Sequence, residues 1–363
     1  MNRTLWSLQP DPVLGMTQIQ LMQTLPVAGK LGLAGHAAEA RAAAARDRAD
    51  DVRWDVRSRV AMAFYDLYEA DRSLAVAVGT RGLLQDIAHT TQTMYAVGDG
   101  RQADVLRANV EVARMTEDIV RMQAMRSSMV ARLNGTLARD VVDAVARPAL
   151  PALPAEIPSL DSLQQMAEMH RPMLKAGEHD VLAALAEERL ARREIWPDLQ
   201  LGLQYGRQSL PTGTQNMGSL MIGATLPVFA HGRQLQMREE AAAMRAEAEA
   251  DLAVMRAETR GRVAELRANF VRARNLSTLY RSTILPQAAA SVTASSAAYR
   301  VGEVNFMTLL DNQMTVNKYS QELFALEADE GKTLAELEML IGQPLFDVDA
   351  SAGANSSAPG GVR

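Results

Sequence analysis

The chain has 363 residues, enough for two or more ordinary domains or for one long repetitive fold. Its net charge of −5, with both signs interspersed, argues against a nucleic-acid-binding surface, and the lack of cysteine excludes disulfides and thiolate metal sites. Aromatic residues make up only 4% of an alanine-rich chain, which favours close helix packing. No apolar run reaches the roughly 18 residues of a membrane-spanning helix, and the N-terminus MNRTLWSLQPDP lacks the apolar region of a secretory signal.

The first predicted element is a strand in MTQIQLMQTLP, which begins at Met16. Gln18 and Gln20 alternate with Ile19 and Leu21, and this period of two places polar and apolar side chains on opposite faces. We predict only this one strand for the first half of the chain.

A very long helix is predicted next, over residues 30–95. Proline is absent from a span of 121 residues, 27–147, in which alanine, glutamate, arginine and leucine dominate. At about 1.5 Å per residue the helix is on the order of 100 Å long. It ends at the sequence VGDG, residues 97–100, and a return helix over residues 102–133 ends at Asn134 and Gly135, predicted as a glycine C-cap.

A linker and a hairpin follow. The segment RPALPALPAEIPSL, residues 147–160, is too proline-rich for a regular helix. The sequence DLQLGLQYGR, which begins at Asp198, then alternates strictly, and GSLMIGATLP does so less cleanly, with SLPTGTQN between them as a hairpin loop. One face of the first strand carries Leu199, Leu201, Leu203 and Tyr205, and the other carries Gln200, Gly202, Gln204 and Gly206.

The second half repeats the plan of the first. LPVFAHGR at Leu226 echoes LPVAGK at Leu25, and YRVGEV at Tyr299 echoes YAVGDG at Tyr95 after 204 residues. A second long helix is predicted over residues 232–299, followed by a return helix ending at Gly342. The predicted organisation is a first repeat at 1–146, a linker at 147–160, a second repeat at 161–346 and a disordered tail at 347–363.

Strands of about ten residues with one apolar and one polar face are typical of transmembrane β-barrels. An ordinary antiparallel sheet with one wet face gives the same pattern. The very long helices next to the strands favour the barrel, and a chain with so few strands has to share it among several copies.

Twenty methionines invite a Cu(I) or Ag(I) site, because thioethers are soft ligands. Met115, Met122 and Met129 share a stripe at helical spacing, which indicates a packing seam. A second group is more suggestive of metal, although Pro172 interrupts it: Met166, Met169, His170 and Met173. No nucleophile–base, phosphate-loop or dinucleotide motif is present, so we predict no enzyme activity, no cofactor and no metal site.

Taken together, the motifs resemble the TolC family of outer-membrane efflux channels over residues 16–345. The resemblance rests on LPVAGK and its echo, on both YxVG turns, on GRQADVLRA at Gly100 and on FMTLLDNQ at Phe306. It implies a mainly α fold with a small β part, in which helical hairpins form a periplasmic tunnel and β-hairpins contribute to a shared trimeric transmembrane barrel. It also implies an N-terminally incomplete chain, because the family begins with a signal or lipoprotein segment, a helix and a further strand.

The resemblance assigns roles to particular residues. The helix-hairpin turns dock onto a periplasmic adaptor, through Val97, Gly98, Asp99, Val301, Gly302 and Glu303. Asp311 and Thr308 lie at the constricted periplasmic aperture, where Thr308 replaces a second family acid. The polar strand faces line the barrel lumen, through Gln18, Gln20, Gln200 and Gln204.

The implied function is a passive exit duct of a tripartite efflux pump, located in the outer membrane with its helical tunnel in the periplasm. The implied partners are two further copies in a homotrimer, the adaptor, an inner-membrane pump and outer-membrane lipid, with no nucleic acid. Metal ions, drugs or other small molecules are the expected cargo, with the heavy-metal resistance–nodulation–division branch as one context. The alternatives are a soluble coiled-coil scaffold and a type I secretion channel.

Overall fold

A computed structural model describes residues 4–11, 16–154, 156–210, 213–225 and 230–345. The described residues are mainly helical with one small antiparallel sheet, which confirms the predicted fold class. The strands are β1 (Thr4–Asp11), β2 (Met16–Leu25), β3 (Asp198–Leu210) and β4 (Gly213–Thr225). The helices are α1 (Lys30–Ala96), α2 (Gln102–Thr136), α3 (Leu160–His170), α4 (Pro172–Arg193), α5 (Ala230–Leu279), a π-helical segment (Tyr280–Ile284), α6 (Leu285–Arg300) and α7 (Phe306–Ile341).

The sheet has the order β1-β2-β3-β4, with every neighbouring pair antiparallel. The prediction of a single strand in the first half is therefore wrong, since β1 pairs with β2 in a register that sets Trp6 opposite Leu21. Pro10 lies inside β1 and hid it from the strand pattern. Because β1 is at the edge of the sheet, the missing N–H of a proline is tolerated there.

The chain divides into two compact units. Unit 1 comprises Met1–Asp50 and Pro172–Ala257, and unit 2 comprises Asp51–Arg171 and Glu258–Arg363. Both long helices, α1 and α5, contribute residues to each unit. The sheet belongs to unit 1, and the two YxVG turns belong to unit 2.

In unit 1, buried charges hold the start of α1 and the end of α4. Lys30 Nζ donates to the Trp196 carbonyl oxygen and to Asp198 Oδ1, both at 2.8 Å, so the LPVAGK lysine fixes the chain where β3 begins. Glu188 accepts from Arg245 and Arg192, and these hydrogen bonds hold its pKa below the ordinary value. A pairing of this kind offsets the cost of burying the Glu188 carboxylate.

Unit 2 is built on apolar helix seams. Met115 is 2% exposed in a core cluster with Ile119, Tyr299 and Phe306, and Met122 packs against the same cluster. Met129 packs against a second cluster around Leu67 and Leu133. The predicted role of these three methionines in helix packing is confirmed.

Up to Ser159 the described residues of the proline-rich linker have no regular secondary structure, and they pack along the helices of unit 2. Leu150 and Leu153 contact a cluster around Tyr65, Ile157 contacts another, and Arg267 Nε donates to the Pro158 carbonyl at 3.1 Å. Burial raises the pKa of Tyr65 to about 12. The linker thus adds apolar cover to the helices it crosses.

The ends of the return helices differ from the prediction in one case. Gly135 does not cap α2, which continues to Thr136; Ala138 instead takes the left-handed conformation, with φ 53°. The Asn134 amide donates to the Asp143 carbonyl at 2.9 Å and so ties the following loop to the helix end. The second return helix, α7, ends at Ile341 as predicted, and Gly342 caps it with φ 64°.

Two predicted segments lie outside the described residues: the tail at 347–363 and residues 226–229 of the LPVFAHGR echo. In the part of the chain that the structure describes, no helix combines the length and the apolar character needed to cross a membrane.

Candidate functional site

The first YxVG turn, residues 97–101, ends α1 in a Schellman motif. The Asp99 N–H donates to the Met94 carbonyl at 2.9 Å and the Gly98 N–H donates to the Tyr95 carbonyl at 3.1 Å. Gly98 has φ 89°, a left-handed conformation that glycine adopts without steric cost. The motif thus satisfies the last carbonyls of α1 and reverses the chain.

The second turn, residues 301–305, repeats this hydrogen bonding. The Glu303 N–H donates to the Ala298 carbonyl at 3.0 Å, the Gly302 N–H donates to the Tyr299 carbonyl at 3.1 Å, and Gly302 has φ 78°. The YxVG repeat therefore specifies one backbone geometry twice.

Both turns present the same side chains to solvent. Val97 is 67% exposed and Val301 is 71% exposed, so both turns present an apolar side chain to solvent. Asp99 and Glu303, each two positions further along, are also exposed. Each turn therefore offers a valine next to a carboxylate, a pair of groups suited to contact with another protein.

A groove lies next to the second turn within unit 2, with a volume of about 180 Å³. It is bounded by α1, α6 and α7, and its walls combine apolar with charged side chains. The lining includes Leu83, Asp86, Ile87, Val292, Arg300 and Leu309.

The two residues assigned to the aperture lie on an exposed face of α7. The Thr308 hydroxyl donates to Asn305 Oδ1 at 3.0 Å, and the Thr308 N–H donates to the same oxygen, so this threonine belongs to the N-cap of the helix. Asp311 is exposed, and its carbonyl accepts from the Thr315 hydroxyl at 2.7 Å. Within the described residues the Asp311 carboxylate forms no ion pair.

The glutamines assigned to the lumen share one face of the sheet. Gln204 Nε2 donates to Gln18 Oε1 at 2.9 Å across β3 and β2, and Ser219 Oγ donates to Gln204 Oε1 at 3.4 Å. Gln200 Nε2 donates to Thr225 Oγ1 at 3.2 Å, and Gln20 Nε2 contacts Met22 Sδ at 3.3 Å. The side chains form a network of amides and hydroxyls on one side of the sheet.

The opposite face of the sheet is apolar and exposed. Its large side chains are between 40% and 74% exposed, so within the described residues this apolar surface is uncovered. They are Ile19, Leu21, Leu199, Leu201, Leu203, Tyr205, Leu220 and Ile222. One wet face and one bare apolar face match the pattern that lipid and a water-filled lumen require.

Some residues of the polar face were missed from the sequence. Met217, Ser219 and Met221 of β4 lie on the side of Gln204, as the register of β3 and β4 shows, and Met22 of β2 lies there too. Their alternation with Leu220 and Ile222 was present in the sequence, but the glycines of β4 weakened it.

The methionine and histidine group near Pro172 is divided between helix packing and solvent. Met166 packs against the core cluster around Leu163, while Met169 and His170 are exposed. Among the residues with described positions, no three histidine or acidic side chains form a metal-binding group.

Comparison with known proteins agrees with this geometry. The chain is 24% identical over 314 residues to the cobalt-zinc-cadmium resistance protein CzcC of Cupriavidus metallidurans, which covers 82% of this chain and 70% of CzcC. Its fold matches a crystal structure of CusC with a TM-score of 0.81, at 16% identity, over 94% of this chain and 82% of CusC. It also matches the outer membrane protein VceC of Vibrio cholerae with a TM-score of 0.79, at 15% identity, over 95% of this chain and 86% of VceC.

The sequence profile of one family, described as outer membrane efflux protein, matches residues 12–139 and 163–343, one range in each repeat. The resemblance drawn from the sequence motifs is thereby confirmed, as is the prediction that the chain is not an enzyme, because the family is one of transport proteins. This chain belongs to the outer membrane efflux protein family.

Proposed function

We propose that three copies of this chain form an outer-membrane channel that serves as the passive exit duct of a tripartite efflux pump. The observation that carries the proposal is the two-faced sheet: an amide face able to line water and an exposed apolar face able to contact lipid. A four-stranded sheet with open edges cannot stand alone in lipid, because its backbone groups need partners. Pairing with further copies supplies those partners.

The oligomer and its membrane location are tested together. Full-length protein, expressed with an outer-membrane signal, is fractionated and then reconstituted in a planar lipid bilayer. We expect a trimer in the outer membrane that conducts ions. A soluble dimer without conductance would support the coiled-coil scaffold instead.

The two turns are proposed as the docking surface for a periplasmic adaptor. Members of the family function in tripartite pumps with an adaptor and an inner-membrane pump, and the exposed Val97 and Val301 supply apolar contacts beside carboxylates. The groove bounded by α1, α6 and α7 offers an adjoining surface for an adaptor segment.

Docking is tested by the double variant Val97→Lys and Val301→Lys. We expect it to form trimers and conduct, yet to lose co-purification with the adaptor. Val142→Lys is the matched control, because Val142 is 83% exposed in the same unit but lies away from both turns in the sequence. Equal adaptor recovery from the double variant and the control would remove the turns from the docking surface.

Metal cations are proposed as cargo because the relative CzcC is described as a cobalt-zinc-cadmium resistance protein. Deletion of the gene should lower the tolerated concentrations of these cations, and the full-length gene should restore them. Unchanged metal tolerance together with lost secretion of a polypeptide would favour the type I secretion channel.

Asp311 is proposed to act at the periplasmic aperture, where three symmetry-related carboxylates would attract cations. We expect Asp311→Asn to reduce cation selectivity of the reconstituted channel. Asp161→Asn, an exposed acid in the first turn of α3, serves as the control. Identical reversal potentials for the two variants would count against the aperture role.

A further inference from the structure

A single row of the sheet places two methionines on either side of a glycine. The register sets Met22 of β2 opposite Gly202 of β3, and Gly202 opposite Met221 of β4. All three positions belong to the polar face, because they alternate with the apolar Leu21, Leu203 and Leu220. The two thioether side chains therefore flank one position that carries no side chain.

The side chains of these two methionines border the space above Gly202. A Cβ built at Gly202 would lie 3.4 Å from Met22 Cγ and 3.4 Å from Met221 Cβ. Strands two apart in a sheet place their Cα atoms roughly 10 Å from each other. Methionine is unbranched with three rotatable bonds, so the two sulfur atoms can converge over the glycine.

The surroundings of this row are uncharged but polar. Gln20 Nε2 donates to Met22 Sδ at 3.3 Å, which orients the sulfur and leaves a second lone pair. Gln200 precedes and Gln204 follows Gly202 on the same face, and Met221 is 44% exposed. A cation bound here contacts neutral ligand atoms only. Without a carboxylate to hold it, the cation binds weakly enough to dissociate again.

We propose that Met22 and Met221 form a binding site for a soft monovalent cation, Ag(I) or Cu(I), on the polar face of the sheet. Thioethers select such ions, and two sulfur ligands suit their low coordination number. With cysteine absent from the chain, no thiolate competes for the ion. The position of the site in an export route rests on the proposed channel, where weak binding favours transit over retention.

Met217 provides an internal comparison. It lies on the same face of β4, but its neighbour across β3 is Gly206, and the residue beyond Gly206 is Gln18. Met217 thus has an equivalent place beside a glycine without a second sulfur opposite. A pair-dependent site predicts different behaviour for Met221 and Met217, whereas a general affinity of exposed methionine for metal predicts the same behaviour.

Silver is the probe, because Ag(I) needs no reductant. Purified full-length channel in chloride-free nitrate buffer is titrated with silver nitrate by calorimetry, for the parent and for Met22→Leu, Met221→Leu and Met217→Leu. We expect either of the first two to weaken the tightest binding by about tenfold or more, equivalent to about 1.4 kcal/mol, and Met217→Leu to leave it unchanged. Equal binding by all four proteins would overturn the site.

A second pair of variants keeps every sulfur. Gly202→Val inserts a branched side chain between the two methionines, and Gly206→Val makes the same change beside Met217. We expect only Gly202→Val to lose the tightest silver binding and the silver-induced fall in single-channel current. Loss in both variants, or in neither, contradicts the pair.

The two proposals fail in distinguishable ways. A protein that binds silver through Met22 and Met221 but conducts no ions would retain the site and lose the channel. A protein that conducts normally but shows no variant-dependent silver binding would retain the channel and lose the site.

Discussion

The two YxVG turns have the same backbone conformation but differ in their side-chain contacts with the rest of unit 2. Tyr299 is 6% exposed and packs edge-to-face against Phe306, with ring centroids 6.1 Å apart. Tyr95, its counterpart, is 46% exposed. The second turn is thus tied to the core through its aromatic residue, and the first is held by the backbone of its own helix end.

The helices that follow the two turns also differ, because the N-terminus of α7 is capped by a side chain and that of α2 is not. Asn305 caps α7, its side chain accepting from the Thr308 N–H at 2.9 Å, whereas Arg101 stands at the N-cap of α2 without a side-chain cap. A repeated sequence motif therefore determines the turn itself, while the residues beyond the motif determine its stability. We expect the first turn to open more readily than the second.

The largest expected effect comes from the two tyrosines. Tyr299→Ala removes a buried aromatic ring and should cost about 3–5 kcal/mol, whereas the exposed Tyr95→Ala should change stability by roughly 0.5 kcal/mol or less. The measurement is the local free energy of opening of each turn, from native-state amide hydrogen exchange. Similar losses in both turns would mean that the aromatic contact does not distinguish them.

The glycines should behave alike, because their backbone conformations are alike. A Cβ at Gly98 or Gly302 meets no atom within 4 Å, so alanine introduces only the cost of a left-handed conformation, about 1–2 kcal/mol at each site. Asparagine at the same positions should recover part of the loss. Hydrogen exchange of the two turns tests this. A strongly unequal loss of opening free energy would show that the left-handed glycine does not contribute equally to both turns.

Substitutions at the two helix N-caps should reduce the difference in opening free energy between the turns, one by weakening the second turn and the other by strengthening the first. Asn305→Ala should destabilise the second turn by about 1 kcal/mol, and Arg101→Asn should stabilise the first by roughly 0.5–1 kcal/mol, since the backbone at 101 is already extended. The double variant brings the two turns closest in opening free energy. An Arg101→Asn variant without added protection would show that the cap geometry at α2 is unsuitable.

The smallest effect concerns alkaline pH. Burial, and then the nearby Asp104 carboxylate, raises the pKa of Tyr299 above its ordinary value. The unfolded chain therefore ionises this phenol first, so the stability that it contributes is present below about pH 10 and falls as pH rises towards the folded pKa. Tyr299→Phe should lessen the loss of second-turn protection above pH 10. An identical pH profile in parent and variant would contradict the assignment.

Features of the fold and the candidate site could be predicted from the sequence where they depend on neighbouring residues, and could not where they depend on contacts between distant segments. The turns, the polar face of β3 and the starts of the long helices were readable because glycine conformation and side-chain period act locally. β1 was missed because Pro10 is allowed only by its place at the sheet edge. The burial of Tyr299 but not of Tyr95, and the pairing of Met22 with Met221 across Gly202, depend on register and packing between distant segments.

The π-helical segment at Tyr280–Ile284 lies between α5 and α6, in the long helical run that leads to the second turn. From Gly29 to Gly98 is a step of 69 positions, and from Gly232 to Gly302 a step of 70. A π turn winds one additional residue into a helix without breaking it. Pro286 and Gly82 each stand 13 positions before the tyrosine of their turn, which places the additional residue upstream of Pro286, on the side where the π turn occurs. The segment thus takes up one additional residue between these two glycines in the second repeat, while the helical run that leads to the second turn continues through it.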